Sequence, residues 1–299
     1  MVYIPVPSIK LAAIGEKWCK KVGAKSVIDV EDLWPESFRM IIKPKLFYQM
    51  FTWRLMVSAN KVYQRADGVV AVSQSYMNRV KSVRCGSFPS AVAPIGSDLK
   101  YVSRLMEQQH MDKPENEFWL SYIGTLGKSY DLKMVIDALG QLEKRGVKGI
   151  VFKVMGSGPD EANLKVYAAS KKCHVEFLGL LPYDKMIQIL ACSDLAVNPI
   201  VGDSVASLIN KVADYSACGV PTINTQNCQE YIDALDSTHS GMTVPDGMTD
   251  LFADTLALLV NNPSLLQSYK KNVSALANQF FSRESSNTKI LNLLQGLLN

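Results

Sequence analysis

The chain has 299 residues, 47% hydrophobic and 20% charged, enough for two globular domains with sizeable cores. It contains no run of eighteen apolar residues, and its opening MVYIPVPSIK lacks a basic region followed by an apolar core, so neither a membrane-spanning helix nor a secretion signal is expected. Residues 1–100 hold 15 Lys and Arg against 7 Asp and Glu, while the remainder is net acidic; a basic half points to an anionic partner such as phospholipid, nucleic acid or a diphosphate-linked acceptor.

Val2–Val6 is the first predicted strand, and a helix over about Ser8–Val22 follows, with Leu11, Ala12, Ile14, Trp18 and Val22 on one apolar face. Ser26–Val30 is the next strand, so the pattern is a parallel strand–helix–strand unit. It ends in the polar cluster Asp29-Val30-Glu31-Asp32, with Glu36 a turn later. Ligands of open parallel sheets meet the carboxyl ends of strands. Glu31, Asp32 and Glu36 are therefore candidates for substrate chemistry, with capping of the next helix an equal alternative. Phe38–Tyr63 is strongly apolar, with Leu46, Phe47, Met50, Phe51, Trp53 and Val57. Lys45, Gln49 and Thr52 form a narrow polar stripe, and Arg39, Lys43, Arg54, Lys61 and Arg65 surround the apolar part. Such a helix suits a membrane interface, or else burial against another domain or subunit. Gly68–Ser73 and Ala91–Pro94 read as further strands around a short helix at Ser75–Val83, and the polar stretch 99–117 reads as an interdomain linker.

The second half alternates strands and helices throughout. Strands are predicted at Phe118–Ile123, Val151–Met155, Val175–Leu178, Leu195–Pro199, Thr222–Asn224 and Gly241–Val244, with helices between them; this is the pattern of a doubly wound parallel sheet. Glycine-bearing turns follow two of these strands, at Gly124-Thr125-Leu126-Gly127-Lys128 and Gly156-Ser157-Gly158-Pro159. The second lacks the third glycine of a dinucleotide fingerprint, because Glu161 stands there. No Gly-Lys-Ser/Thr phosphate loop and no Gly-x-Ser-x-Gly elbow occur.

The stretch 204–223, SVASLINKVADYSACGVPTI, reads as a loop, a short helix, a Gly-Val-Pro turn and a strand. Asn210 stands at the helix start, with Lys211 and Asp214 in its first turn. A helix N-terminus presents free N–H groups and partial positive charge, which suits phosphate. Lys211 adds a cation there, and Asp214 could accept hydrogen bonds from ribose hydroxyls. An ordinary surface helix is the plainer alternative. The six cysteines are scattered without a Cys-x-x-Cys pair, as expected of reduced thiols in a cytosolic protein.

Taken together, YIGTLG, KVMGSGPD, VEFLGLLP, CSDLAVNPI and NKVADYSACGVPTI, in this order over residues 118–245, resemble the nucleotide-sugar-dependent glycosyltransferases of the two-domain GT-B fold, retaining family four, of the type that builds bacterial capsule, lipopolysaccharide or exopolysaccharide. DVEDLWPES at 29–37, ADGVVAVS at 66–73 and PIGSD at 94–98 resemble the N-terminal domain of that family. The resemblance implies an α/β chain of two Rossmann-like domains. A partial acceptor-side domain would occupy 1–98 and a donor domain 118–280, with a helix at 281–299 packing back towards the N-terminal domain.

The donor diphosphate would lie near Gly124, Thr125 and Lys128, with Lys211 and Asn210 on its other side. Gly156 and Gly158 would line the cleft, the backbone of Leu180 and Leu181 would face the nucleobase, and Asp214 would bind ribose. Glu31 and Asp32 would stand on the acceptor side. The resemblance further implies transfer with retention to a lipid-linked or other glycan acceptor, with no cofactor, metal or nucleic acid. The sequence departs from the family in four ways. Ala206 replaces the first acid of the family's pair, Thr125 stands where a basic residue often follows the first glycine, Glu31 stands where a His is usual, and the resemblance leaves the first strands of the N-terminal domain without a counterpart. A partner chain completing that sheet, or a binding subunit without activity of its own, is the alternative expectation.

Overall fold

A computed structural model describes the chain apart from residues 41, 43, 109, 110 and 203–209. The loop 204–209 with Ala206, and Lys43 in the basic rim, therefore lie outside the described residues. The chain forms two compact units, one of residues 1–95 and 283–299, the other of 96–202 and 210–282.

The first unit runs β1 (Val2–Val6), α1 (Ile9–Val22), β2 (Ser26–Val30), a 3-10 turn (Glu36–Met40), α2 (Lys45–Arg65), β3 (Gly68–Ala71), α3 (Gln74–Lys81) and β4 (Ser90–Val92). The strands pair in parallel in the order β1-β2-β3-β4. Ile4, Val6, Ile28, Val30, Val69 and Ala71 meet Ala59, Val62 and Tyr63 of α2 on one face. Two helices differ from expectation. The predicted apolar face of α1 points outward, with Leu11, Ile14, Trp18 and Val22 exposed, while Ile9, Ala12, Glu16 and Cys19 are buried. In α2, Leu46, Phe47, Met50, Phe51 and Trp53 are exposed. Thr52, expected in the polar stripe, is buried and its hydroxyl donates to the Tyr48 carbonyl at 2.7 Å, a local bond that lets a hydroxyl face inward without an orphaned donor.

The second unit begins earlier than expected, at Gly96. Residues 99–108 of the predicted linker form a helix, α4 (Leu99–Gln108), whose Val102 and Leu105 are buried. Asp98 caps it, accepting from the Tyr101 N–H at 3.0 Å, which satisfies one of the free donors of a helix start.

There follow β5 (Phe118–Ile123), α5 (Leu132–Lys144), β6 (Ile150–Met155), α6 (Glu161–Lys171), β7 (His174–Gly179), α7 (Tyr183–Ala191), β8 (Leu195–Asn198), α8 (Asn210–Ala217), β9 (Thr222–Asn224), α9 (Gln229–Thr238), β10 (Gly241–Thr243), α10 (Thr249–Asn261) and α11 (Pro263–Phe280). The last helix, α12 (Arg283–Leu298), belongs to the first unit, where Ile290, Leu293, Leu294 and Leu297 cover Val27, Val70 and Ala93. The second sheet is parallel, ordered β10-β9-β8-β5-β6-β7. The chain builds outward from β5 through β6 and β7, then returns to add β8 on the other side. The strand order thus reverses between β5 and β8, the place where open α/β sheets bind ligands. Among its described strands the first sheet has no such reversal.

Candidate active site

At the carboxyl ends of β5, β6 and β7 lies a cavity of about 360 Å³, within the size range of small-ligand sites. It is lined by Gly124 and Thr125 after β5, Gly156 and Ser157 after β6, Leu180 and Leu181 after β7, and Lys211 and Asp214 from α8, with Met155 and Met186 among the apolar walls.

The two glycine turns interlock. Gly124 N donates to the Met155 carbonyl at 3.0 Å, Leu126 N to the Ser157 carbonyl at 3.0 Å, and Asp160 N to the Leu126 carbonyl at 3.0 Å. A Cβ on Gly156 would stand 1.9 Å from the Gly124 carbonyl oxygen, and one on Gly158 2.2 Å from that of Leu126. Glycine is therefore required by close backbone approach, and at Gly156 also by its positive φ of 140°. Gly158 holds the turns together and is not itself in the lining.

Helix α8 is pinned beneath these turns. Tyr215, fully buried, accepts from the Ile123 N–H at 3.0 Å and donates to the Val197 carbonyl at 3.1 Å, tying α8 to the ends of β5 and β8. That placement brings Lys211 under Gly124, so that a Cβ there would approach Nζ to 2.8 Å. Nζ lies 3.5 Å from the ring centroid of Tyr130 and 4.3 Å from that of Tyr122, and donates to the Tyr122 hydroxyl at 3.3 Å. Tyr122 in turn donates to the carbonyl of Thr125 at 2.8 Å. Lys211 is buried and has no carboxylate partner among the described residues. Burial holds its ammonium well below the usual lysine range, because the neutral amine loses less on leaving water.

Asp214 is half-buried one turn on. Its Oδ1 accepts from the Tyr183 hydroxyl at 2.9 Å and from the Ser97 hydroxyl. The cavity therefore combines backbone turns, an amine and an accepting carboxylate at one rim, a set of groups suited to pyrophosphate and a vicinal diol.

Of the residues expected from sequence, Gly124, Thr125, Gly156, Leu180, Leu181, Lys211 and Asp214 meet in this cavity. Lys128 does not: it is exposed on the turn after Gly127 and lies outside the lining. Asn210 is exposed at the start of α8 and also lies outside it. In the first unit, the Asp32 carboxylate accepts from Leu33 N at 2.8 Å, Trp34 Nε1 at 2.9 Å and Ser37 Oγ at 2.7 Å. These bonds organise its own loop, and none of them is made to a backbone N–H of the Glu36–Met40 turn. Glu36 pairs with Arg79. Glu31 is exposed, its carboxyl raised from the ordinary range by partial desolvation and by Asp29. Sequence reasoning missed Tyr122 and Tyr130 around Lys211, and Ser97 and Tyr183 on Asp214. The cap at Asp98 is a sign in the sequence that this stretch is ordered.

Two parallel α/β units, one with a ligand-sized cavity at its switch point, match the fold of solved GT-B glycosyltransferases. Solved structures agree: Anabaena Alr3699/HepE in complex with UDP superposes with a TM-score of 0.78 at 17% identity, over 98% of this chain and 78% of that one. WaaG, a glycosyltransferase involved in lipopolysaccharide biosynthesis, gives 0.67 at 12% identity, over 94% and 81%. Residues 117–262 match the family described as Glycosyl transferases group 1. Among curated proteins, the chain is 22% identical over 242 residues to a protein of Salmonella typhimurium bearing the name colanic acid biosynthesis glycosyltransferase WcaL, covering 79% of this chain and 58% of that protein. It is 24% identical over 187 residues to WcaI of Escherichia coli, similarly named, covering 60% and 45%. The chain thus spans about half the length of the curated relatives it matches.

Proposed function

We propose that the chain transfers a sugar from a nucleotide diphosphate sugar to a hydroxyl of a glycan acceptor, lipid-linked in the setting of bacterial surface polysaccharide synthesis. The observation that carries this reading is the joint placement of Lys211 and Asp214, one turn apart on α8, at the rim of the glycine-turn cavity. When the bond between the anomeric carbon and the diphosphate breaks, negative charge grows on the leaving oxygen. Lys211, protonated once a dianion lies over it, stabilises that charge from below, while Asp214 holds the ribose. Glu31 is the acceptor-side candidate left with an exposed carboxylate. The UDP and UDP-glucose in the Alr3699/HepE structures and the colanic acid biosynthesis names of the curated relatives support the donor and acceptor classes. A thermal-shift screen with nucleoside diphosphates, followed by a donor-sugar turnover assay, tests it. Lys211→Ala should lower turnover about 100-fold or more; unchanged turnover removes Lys211 from the mechanism.

Peripheral membrane contact through α2 fits the same acceptor. Phe47, Phe51 and Trp53 are exposed beside the exposed Lys45, Arg54 and Lys61, an interfacial composition. No helix among the described residues is long and apolar enough to cross a membrane. A second reading is a subunit that works with a partner chain. It is favoured by the outward-facing Leu11, Ile14, Trp18 and Val22 of α1, next to β1, which among the described strands pairs only with β2. Full transfer activity of the purified chain alone would exclude it.

A further inference from the structure

Asp214 is held by a brace made from two other elements of the second unit. Tyr183, the first residue of α7, donates to Oδ1 at 2.9 Å, and the Ser97 hydroxyl donates to the same oxygen. Each partner is itself fixed. Ser97 is buried and its N–H donates to the Phe281 carbonyl at 3.0 Å. The Tyr183 ring stacks on Tyr101 of α4, with centroids 6.3 Å apart and planes 10° from parallel. The Tyr101 hydroxyl donates to Asp184 at 2.9 Å, closing the arrangement between α4 and α7. Both donors converge on Oδ1, while Oδ2 accepts no bond within the described residues.

We infer that Ser97 and Tyr183 are positioning residues that turn Asp214 so that its free oxygen faces the cavity and selects ribose over deoxyribose. This rests on the nucleotide-site reading above. A carboxylate free to rotate about χ1 and χ2 would spread its acceptor over several directions. Two hydroxyl donors on one oxygen remove that freedom before the ligand arrives, which is how preorganisation raises selectivity. A donor's ribose then meets a charged acceptor already aimed, and a sugar lacking those hydroxyls leaves that acceptor without a partner.

The test compares the best-binding diphosphate among UDP, GDP and ADP with its 2′,3′-dideoxy form, by titration calorimetry on the full chain. Wild type should bind the ribose form about tenfold or more tightly. In Tyr183→Phe the preference should fall several-fold, and in the Ser97→Ala/Tyr183→Phe double variant to below about threefold, with inorganic pyrophosphate bound as in wild type. Asp214→Asn should give a preference like that of the double variant. A merely structural role for the two hydroxyls would weaken the ribose and dideoxy forms alike. Retention of the wild-type preference in Tyr183→Phe and the double variant, or a parallel loss of pyrophosphate binding, would overturn the inference. Should the double variant not fold, the single Tyr183→Phe result decides. If wild type binds none of the three diphosphates, the nucleotide-site reading falls and takes this inference with it; if wild type binds them and only the preference survives substitution, that reading stands and the brace alone is refuted.

Discussion

Replacing Lys211 by methionine should move stability and ligand binding in opposite directions. In the free protein the side chain is buried between two tyrosine rings, without a carboxylate partner among the described residues. Removing an amine from water costs several kcal/mol if it is charged, and the ring faces return only about 0.5–2 kcal/mol. A methionine of similar length avoids the desolvation, so the free variant should be more stable by about 1–2 kcal/mol, raising Tm by about 2–4 °C per kcal/mol for a unit of this size. The ligand arm runs the other way. A nucleoside diphosphate at 100 times its Kd should stabilise wild type by about 2.7 kcal/mol. Loss of a charge-assisted contact worth about 1.5–3 kcal/mol lowers the ratio of ligand to Kd at the same concentration to between roughly 8 and 0.6, so the stabilisation drops to about 0.3–1.3 kcal/mol. Differential scanning fluorimetry with and without diphosphate reads both arms. A variant that melts lower than wild type yet keeps the full ligand shift would refute the placement of Lys211 as the buried phosphate cation.

The same lysine sets a pH dependence. Its ammonium is held below the usual range in the free protein and regains a partner when a dianion binds, so binding takes up a proton and affinity should weaken as pH rises; calorimetry in buffers of different ionisation enthalpy measures the uptake. Glu16 is buried, its Oε1 has no partner among the described residues, and desolvation raises its carboxyl to about 7. The folded state therefore binds the extra proton between the ordinary value of 4.5 and about 7, so stability from this group falls as pH rises through that window and then levels off. Glu16→Gln should stabilise at pH 8 by about 1–2 kcal/mol after allowance for water reaching the site and should flatten the profile, as urea melts at pH 5 and pH 8 would show. Gly156→Ala places a Cβ 1.9 Å from the Gly124 carbonyl and should cost about 3 kcal/mol or more, whereas Gly296→Ala, with nothing within 4 Å, should be neutral or slightly stabilising. Flotation with anionic vesicles should carry the chain upward, and Trp53→Ser/Phe51→Ser should abolish it; equal flotation of the variant would remove α2 as the contact.

Much of the second sheet is legible in the sequence because several of its strands are short apolar runs closed by glycine or proline, as at 118–124 and 150–156. The first unit is read less well. Periodicity gives α1 its stripe of Leu11, Ile14, Trp18 and Val22 but does not say which way the stripe turns. The small Ala12 and Cys19 allow close approach to the sheet, and the large residues are left outside. Helix α4 is hidden in a polar stretch because only Val102 and Leu105 are buried. Within the site, the glycines and the pair Lys211 and Asp214 are visible as motifs, since their spacing is local. The tyrosines around Lys211 come from β5 and the turn before α5, and Ser97 is 117 residues from Asp214; partners so distant in the chain leave no local pattern. Lys128, placed at the diphosphate by the resemblance, is exposed on the turn after Gly127 and lies outside the lining.

The roof that Gly124 forms over Lys211 bears on ionic strength. An amine enclosed by two phenol rings does not project a field into bulk water, so mobile ions have little to cluster around before the ligand arrives. Exposed lysines on a phosphate site lose their hold steeply once salt shortens the Debye length to about 8 Å or less. A diphosphate seated on this enclosed amine should keep most of its affinity across that range, and free phosphate or chloride should compete with it poorly.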